Sequence, residues 1–225
     1  MKRSRKLAST ATTLKGFYDA LLAHFGPQRW WPARTPFEVM VGAILTQNTN
    51  WKNVEKAIAN IRRAGLLDPV LLRRVPRERL AELIRPAGYY NIKAGRLANL
   101  LAVLVDEYAG DLDRFFDGGV DLVRRRLLSI NGVGRETADS IVLYAAGKPT
   151  FVVDAYTYRV TTRHNLILED AGYEEVKSLF EDNLPRDAAL FNEYHALIVR
   201  VGKEFCRKTP RCGGCPLEPF PHNVE

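Results

Sequence analysis

Apolar residues recur at helical spacing through most of this chain. Leu14, Tyr18, Leu21, Leu22 and Phe25 share one face of a predicted helix over residues 10–25, and Gly26-Pro27 ends it. Residues 37–45, FEVMVGAIL, are apolar on nearly every side and predict a buried helix. Val54, Ala57, Ile58 and Ile61 mark an amphipathic helix over 52–64, capped by Gly65. Two short helices follow within 67–85, separated at Pro76 and closed at Arg85-Pro86. Leu97, Leu100, Leu101, Leu104 and Val105 predict a regular helix over 92–108, which Asn91 is placed to cap. Further helical patterns cover 155–163, 173–184 and 188–203, with His195 in the last, where a lone histidine reads as a packed or surface residue. Periodicity therefore predicts a helix-rich chain with one notable extended run, Pro149 to Val153.

The stretch that organises the rest runs from Leu127 to Val160, LLSINGVGRETADSIVLYAAGKPTFVVDAYTYRV. Its apolar start breaks at Gly132-Val133-Gly134, and a helical pattern resumes through Ile141, Leu143 and Tyr144. Two glycines let the backbone take positive φ and approach a partner closely. The start of the second helix then offers N–H groups and the positive end of its dipole to an anion such as a phosphate. Asp154 follows the extended run and precedes the next helix. An aspartate there is also what an N-cap requires, and a lone G-V-G suits any tight helix connection. Cap and chemistry both stay open at this point.

Charge sharpens the choice of partner. Thirty-three Lys plus Arg against 26 Asp plus Glu leave +7 over 225 residues, which suits a polyanion. No run approaches the roughly 18–20 apolar residues of a membrane span. Residues 1–9 are basic without an apolar core and predict a basic tail rather than a secretory signal, so the expected location is intracellular, in cytoplasm or nucleoid. All three cysteines fall within 206–215, which argues for one local site over a disulfide framework.

The hairpin with G-V-G-R and T-A, followed by V-V-D and then R-V, resembles the helix-hairpin-helix (HhH-GPD) DNA glycosylases of the endonuclease III superfamily. Trp30-Trp31-Pro32, the L-T-Q-N-T around Gln47 and the G-Y-Y-N-I-K-A of 88–94 extend the likeness over about residues 30–216. The resemblance implies an all-α fold of two helical lobes with a cleft between them. One is a six-helix lobe over 35–148 holding the hairpin. The second lobe combines 10–34 with 149–205, and 206–225 is a cysteine-containing loop. It implies that Gly132, Val133, Gly134 and Arg135 grip DNA phosphate, that Gln47 fills the gap left by an extruded nucleotide, and that Tyr89 wedges into the stack. Trp30, Trp31, Pro32 and Trp51 would wall the base pocket, with Lys203 at its side, and Asp154 would be the catalytic carboxylate. Bifunctional members carry a lysine where Glu136 stands; a glutamate cannot form the imine that cuts the strand. The resemblance thus points to a monofunctional enzyme, closest to the 3-methyladenine branch, acting as a monomer on double-stranded DNA with a damaged, alkylated base and on no membrane. Two rival readings accompany it: a bifunctional glycosylase and lyase using another amine such as Lys203, and a non-catalytic lesion-binding module.

Cys206-x5-Cys212-x2-Cys215 resembles the iron–sulfur loop of many relatives, with the first gap one residue shorter and Pro221 where a fourth cysteine is due. Three expectations follow: a decayed loop folded without metal, a cluster completed by His222 or an outside ligand, or zinc held by three cysteines and a histidine. Arg207, Lys208 and Arg211 beside it are candidate phosphate contacts. The Arg124-Arg125-Arg126 run ahead of the hairpin reads as a solvated face, with added contacts to the DNA backbone as the alternative beside a phosphate clamp.

Overall fold

In the computed structural model, whose described residues run from 9 to 223, local capping chemistry starts most helices. Apart from Ser9, the expected basic tail lies outside the described residues. The chain divides into two compact units, one made of the residues through Trp30 with those from Pro149 onward, the other of Trp31–Lys148.

The 31–148 unit contains α2 (Pro36–Leu45), α3 (Trp51–Arg63), α4 (Pro69–Arg73), α5 (Arg77–Leu83), α6 (Tyr90–Ala102), α7 (Leu112–Phe116), α8 (Val120–Leu128) and α9 (Arg135–Tyr144), numbered after α1 (Thr10–Phe25). A 3₁₀ turn at Arg85–Ala87 precedes α6. Among the described residues this makes eight α-helices where six were expected. The two shortest, α4 and α7, span five residues each, started by Asp68 and Asp111, whose carboxylates accept from Leu71 N and Arg114 N; α4 is the first of the two short helices expected within 67–85, whereas α7 was not expected. A helix as brief as α7 leaves too little periodicity to read. The core is built around α2, in which every residue from Phe37 to Leu45 is buried, each large apolar side chain contributing about 1.5–3 kcal/mol. The charged member, Glu38, pairs with Arg62 of α3 and accepts from Arg34 N.

Two local expectations are corrected here. Asn91 does not cap α6; Tyr89 holds the N-cap position with left-handed backbone (φ 47°, ψ 31°), which draws the helix start forward and leaves Asn91 in the first turn. The helix expected over 92–108 widens into a π turn at Val103–Glu107. Positive φ at Ala109 and Gly110 and the bond from Gly110 N to Leu104 O (2.8 Å) then reverse the chain.

The hairpin's two helices are locked together by charge as well as packing. Arg124 Nε and Nη2 donate to Asp139 Oδ1 and Oδ2 at 2.8 and 3.1 Å. Asp139 is fully buried, so this two-pronged pair satisfies a carboxylate that would otherwise be costly to bury. Arg126 donates to Phe115 O and Asp117 O. Two of the three consecutive arginines are therefore structural, against the solvated face expected of them.

The other unit joins α1 to α10 (Ala155–Arg163), α11 (Tyr173–Glu181) and α12 (Ala188–Glu204). Phe151, Val152 and Val153 are buried, with Phe151 stacked on Phe180 at 3.8 Å. Tyr194 donates its hydroxyl to Leu14 O at 2.8 Å. Gly202 lets α12 close on α10, since a Cβ there would stand 2.4 Å from Tyr156 Cδ1. The cysteine loop belongs to this unit. The described residues form no strand, and no helix among them is long and apolar enough to cross a membrane.

Candidate active site

Asp154 serves as cap and as a placed charge at once, because its two oxygens are used differently. Oδ1 accepts from Tyr156 N (2.9 Å), Thr157 N (2.8 Å) and Thr157 Oγ1 (3.0 Å), fixing the start of α10. Oδ2 faces His195 Nε2 of α12 at 3.7 Å, and the carboxylate side chain is only 14% exposed. Burial pushes the His195 imidazole below its ordinary range, Asp154 pulls it back up, and the charge of Lys203 pushes it down again. The ring is therefore neutral at pH 7, and Asp154 keeps its negative charge unneutralised by it. Lys203 lies over the Trp30 ring at 5.9 Å, a cation–π contact. Asp154, His195, Lys203 and Trp30 thus form one group inside one unit. His195 is the member that sequence reasoning missed, and its α12 spacing carries no signal that would have found it.

In the other unit the hairpin turn connects α8 to α9 through Ser129–Gly134. Gly132 takes φ +95°, and a Cβ there would stand 2.3 Å from Arg96 Cγ, so glycine is required twice over. Val133 is buried. Gly134 is the N-cap of α9 and provides no side-chain cap, so the first N–H groups of α9 point out of the helix end for an anion. Arg135 and Glu136 are exposed on that first turn.

Gln47 lies in the turn after α2 and reaches this hairpin. Its Nε2 donates to Gly132 O (3.2 Å) and Thr137 Oγ1 (2.9 Å), while Arg96 Nη1 donates to its Oε1. Gln47, Gly132, Thr137 and Arg96 are thereby brought together. Arg96 was not singled out in the sequence, and Thr137 entered there only through the T-A of the hairpin motif. Tyr89 is 67% exposed, with Ile92 nearby at 55%. Trp31 meets Trp51 edge-on at 5.0 Å and Tyr144 at 5.2 Å. Pro32 is exposed in a tight turn closed by Ala33 N to Trp31 O. The tryptophan pair straddles the division of the chain, so Trp30 and Trp31 belong to different units.

Cys206, Cys212 and Cys215 line one cavity with His164, His222, Arg163 and Arg211. Burial pushes the Cys215 thiol up, and the other two cysteines reinforce this. The loop is held by protein groups. Arg163 donates to Cys206 Sγ (3.2 Å), Arg207 O (2.7 Å) and Lys208 O (2.9 Å), and Arg159 donates to Cys206 O (2.6 Å). At the position due for a fourth cysteine, the Pro221 carbonyl instead accepts from His164 Nδ1 (2.9 Å). Among the described residues no three His, Cys, Asp or Glu side chains converge as a single ion requires. With three thiols, this donor set does not fit a cluster of four thiolates.

Comparison with known proteins identifies the family and the fold. The family profile described as HhH-GPD superfamily base excision DNA repair protein matches residues 41–186. A candidate DNA repair glycosylase of Methanocaldococcus jannaschii is 52% identical over 205 residues, covering 90% of this chain and 93% of that protein. The structure of the Helicobacter pylori 3-methyladenine DNA glycosylase bound to 1,N6-ethenoadenine is 28% identical, covering 88% of this chain and 98% of that one, with a TM-score of 0.75. A non-covalent endonuclease III–DNA complex is 26% identical and covers 95% of each chain, with a TM-score of 0.80. The chain belongs to the HhH-GPD superfamily of base excision DNA repair proteins and is a DNA N-glycosylase of the endonuclease III type.

Proposed function

We propose that this glycosylase is monofunctional and removes alkylated purines from duplex DNA as a monomer inside the cell. The divided carboxylate of Asp154 carries the reading. Oδ1 is committed to the cap of α10, while Oδ2 remains a fixed negative charge in a poorly solvated setting beside a neutral imidazole. Such a charge opposes the cation that develops on the sugar. The glycosidic electron pair leaves with the base, water adds at C1′ of the oxocarbenium-like sugar and loses a proton, and an abasic site results. An alkylated purine already bears positive charge, so it departs with little help from an acid. Glu136 supports the absence of strand cutting, since a carboxylate cannot form an imine at C1′.

DNA phosphate is bound by the N–H groups at the start of α9, with Gly132, Val133, Gly134 and Arg135 forming the grip. Gln47 and Tyr89 occupy the stack once the nucleotide turns out, and Trp31 with Trp51 offers the aromatic face for the base. Trp30, Pro32 and Lys203 are assigned to the base as well, although Lys203 on the Trp30 ring competes with a cationic base for that face. The cysteine loop folds in this reading on its arginine contacts and without a cluster.

The test is base release from duplexes that each carry one lesion, with abasic sites revealed by alkali. The expected result is release from an alkylated purine with no strand cut before alkali. Release confined to other lesions, or none at all with DNA binding intact, rejects the reading. A second reading has one observation in its favour: the Lys203 charge acts on His195, which faces Asp154. Were its amine the nucleophile, borohydride would trap a covalent complex that Lys203→Ala abolishes.

A further inference from the structure

Gln47 and Tyr89 sit on segments that leave different helices, yet one buried amine holds both. Lys93 is 1% exposed, and its Nζ donates to Leu45 O at 2.8 Å and to Ala87 O at 2.7 Å. Leu45 ends α2 two residues before Gln47, and Ala87 ends the 3₁₀ turn two residues before Tyr89. The main-chain N–H of Lys93 donates to Tyr89 O at 3.0 Å. Both side-chain acceptors are carbonyls at helix ends, which lack intrahelical partners and are costly to bury unbonded. A cation also suits the negative end of the α2 dipole.

An ammonium is an expensive way to satisfy two carbonyls in a core. Burial, with Arg96 adding to it, brings the Lys93 amine down to about 8. What hydrocarbon cannot do in its place is bond two chain segments at once and so fix their separation. The second segment needs holding. Gly88 takes φ +67° and Tyr89 φ +47°, and a bulky residue with left-handed backbone persists where its surroundings enforce it. That turn projects Tyr89 outward. Arg96, one helical turn beyond Lys93, acts differently: it grips the Gln47 side chain, and that bond breaks when Gln47 enters DNA. The Lys93 bonds go to main chain and survive the move.

We propose that Lys93 is a positioning residue that sets the spacing between Gln47 and Tyr89, so that the two enter the base stack as one tool when the nucleotide is extruded. The proposal rests on the glycosylase reading above and names the device that serves its extrusion step.

The experiment uses the full chain with Lys93→Met and with Lys93→Gln, whose amide still donates. Extrusion is followed by 2-aminopurine fluorescence beside a lesion, and base release is measured from a paired lesion and from the same lesion in an unpaired bulge. Lys93→Met is expected to bind undamaged duplex like the wild type while losing about tenfold or more in fluorescence response and in release from the paired lesion. The bulged lesion, already unstacked, is expected to lose far less, and Lys93→Gln to recover part of the loss. Adding Lys93→Met to Gln47→Ala/Tyr89→Ala is expected to slow that variant no further. Equal losses on paired and bulged lesions, additive losses, or an unchanged fluorescence response would overturn the proposal. Failure of both Lys93 variants to fold overturns it too, since the residue is then core scaffold. If the wild type releases no base yet shows a fluorescence response that Lys93→Met abolishes, only the glycosylase reading falls.

Discussion

Asn in place of Asp154 separates the two roles that one carboxylate holds. Oδ1 accepts three hydrogen bonds from Tyr156 and Thr157. Asparagine caps a helix about as well as aspartate, so its amide oxygen can keep all three. Stability should therefore stay within a few tenths of a kcal/mol of the wild type. The negative charge of Oδ2 disappears, and removing one preorganised stabiliser of transition-state charge costs roughly 3–4 kcal/mol, or about 10²–10³ in rate. Asp154→Ala removes the cap as well, at about 0.5–2 kcal/mol, which lowers the melting temperature by a few degrees in a chain of this size. Single-turnover base release at saturating enzyme, melting by circular dichroism and duplex affinity by fluorescence anisotropy measure the three quantities separately. Asp154→Asn should melt and bind like the wild type and release base at least about a hundredfold more slowly. A wild-type rate in Asp154→Asn, with loss in Asp154→Ala that tracks its melting temperature, would mean that the residue is a cap and nothing more.

Three further outcomes follow from the same geometry. Glu136→Lys places an amine on the exposed first turn of α9 and should gain borohydride trapping on abasic DNA, while losing roughly 0.3–1 kcal/mol as an acid at the helix start becomes a base; absence of trapping would show that this position does not reach C1′. Arg163→Met removes the bonds to Cys206, Arg207 and Lys208 and should open the 206–223 loop to limited proteolysis, with wild-type protein lacking the visible absorbance of an iron–sulfur cluster; such absorbance in anaerobically prepared wild type would refute the metal-free reading. Burial pushes the His164 imidazole from 6.5 down to about 4, so below pH 6.5 the unfolded chain binds a proton that the folded chain refuses. Stability should hold above that pH and fall between about 6.5 and 4, and urea midpoints that show the same slope in His164→Phe would rule this histidine out as the cause.

Helix positions were readable because their causes are local. Apolar spacing of 3.6 residues places α1, α3 and α12, and a glycine pair with a helical pattern after it marks the hairpin. The Asp154 cap rests on bonds two and three residues away. Where local signals were short or mixed, the structure departed from expectation. Single-turn α7 leaves no periodicity, and the left-handed turn at Tyr89 takes the cap position that Asn91 was expected to fill.

What only the tertiary structure decided lies at long separation along the chain. Gln47 meets Thr137 across 90 residues, Lys93 reaches Leu45 across 48, and His195 comes to face Asp154 from a different helix. Such contacts follow from how amphipathic faces pack, and many chains share the same faces with different partners. A buried lysine and a buried histidine look like any surface polar residue in a helical pattern until the packing shows which carbonyls and which carboxylate they meet. The sequence alone therefore determined the elements and the chemistry available to them; the packing decided which side chains act together.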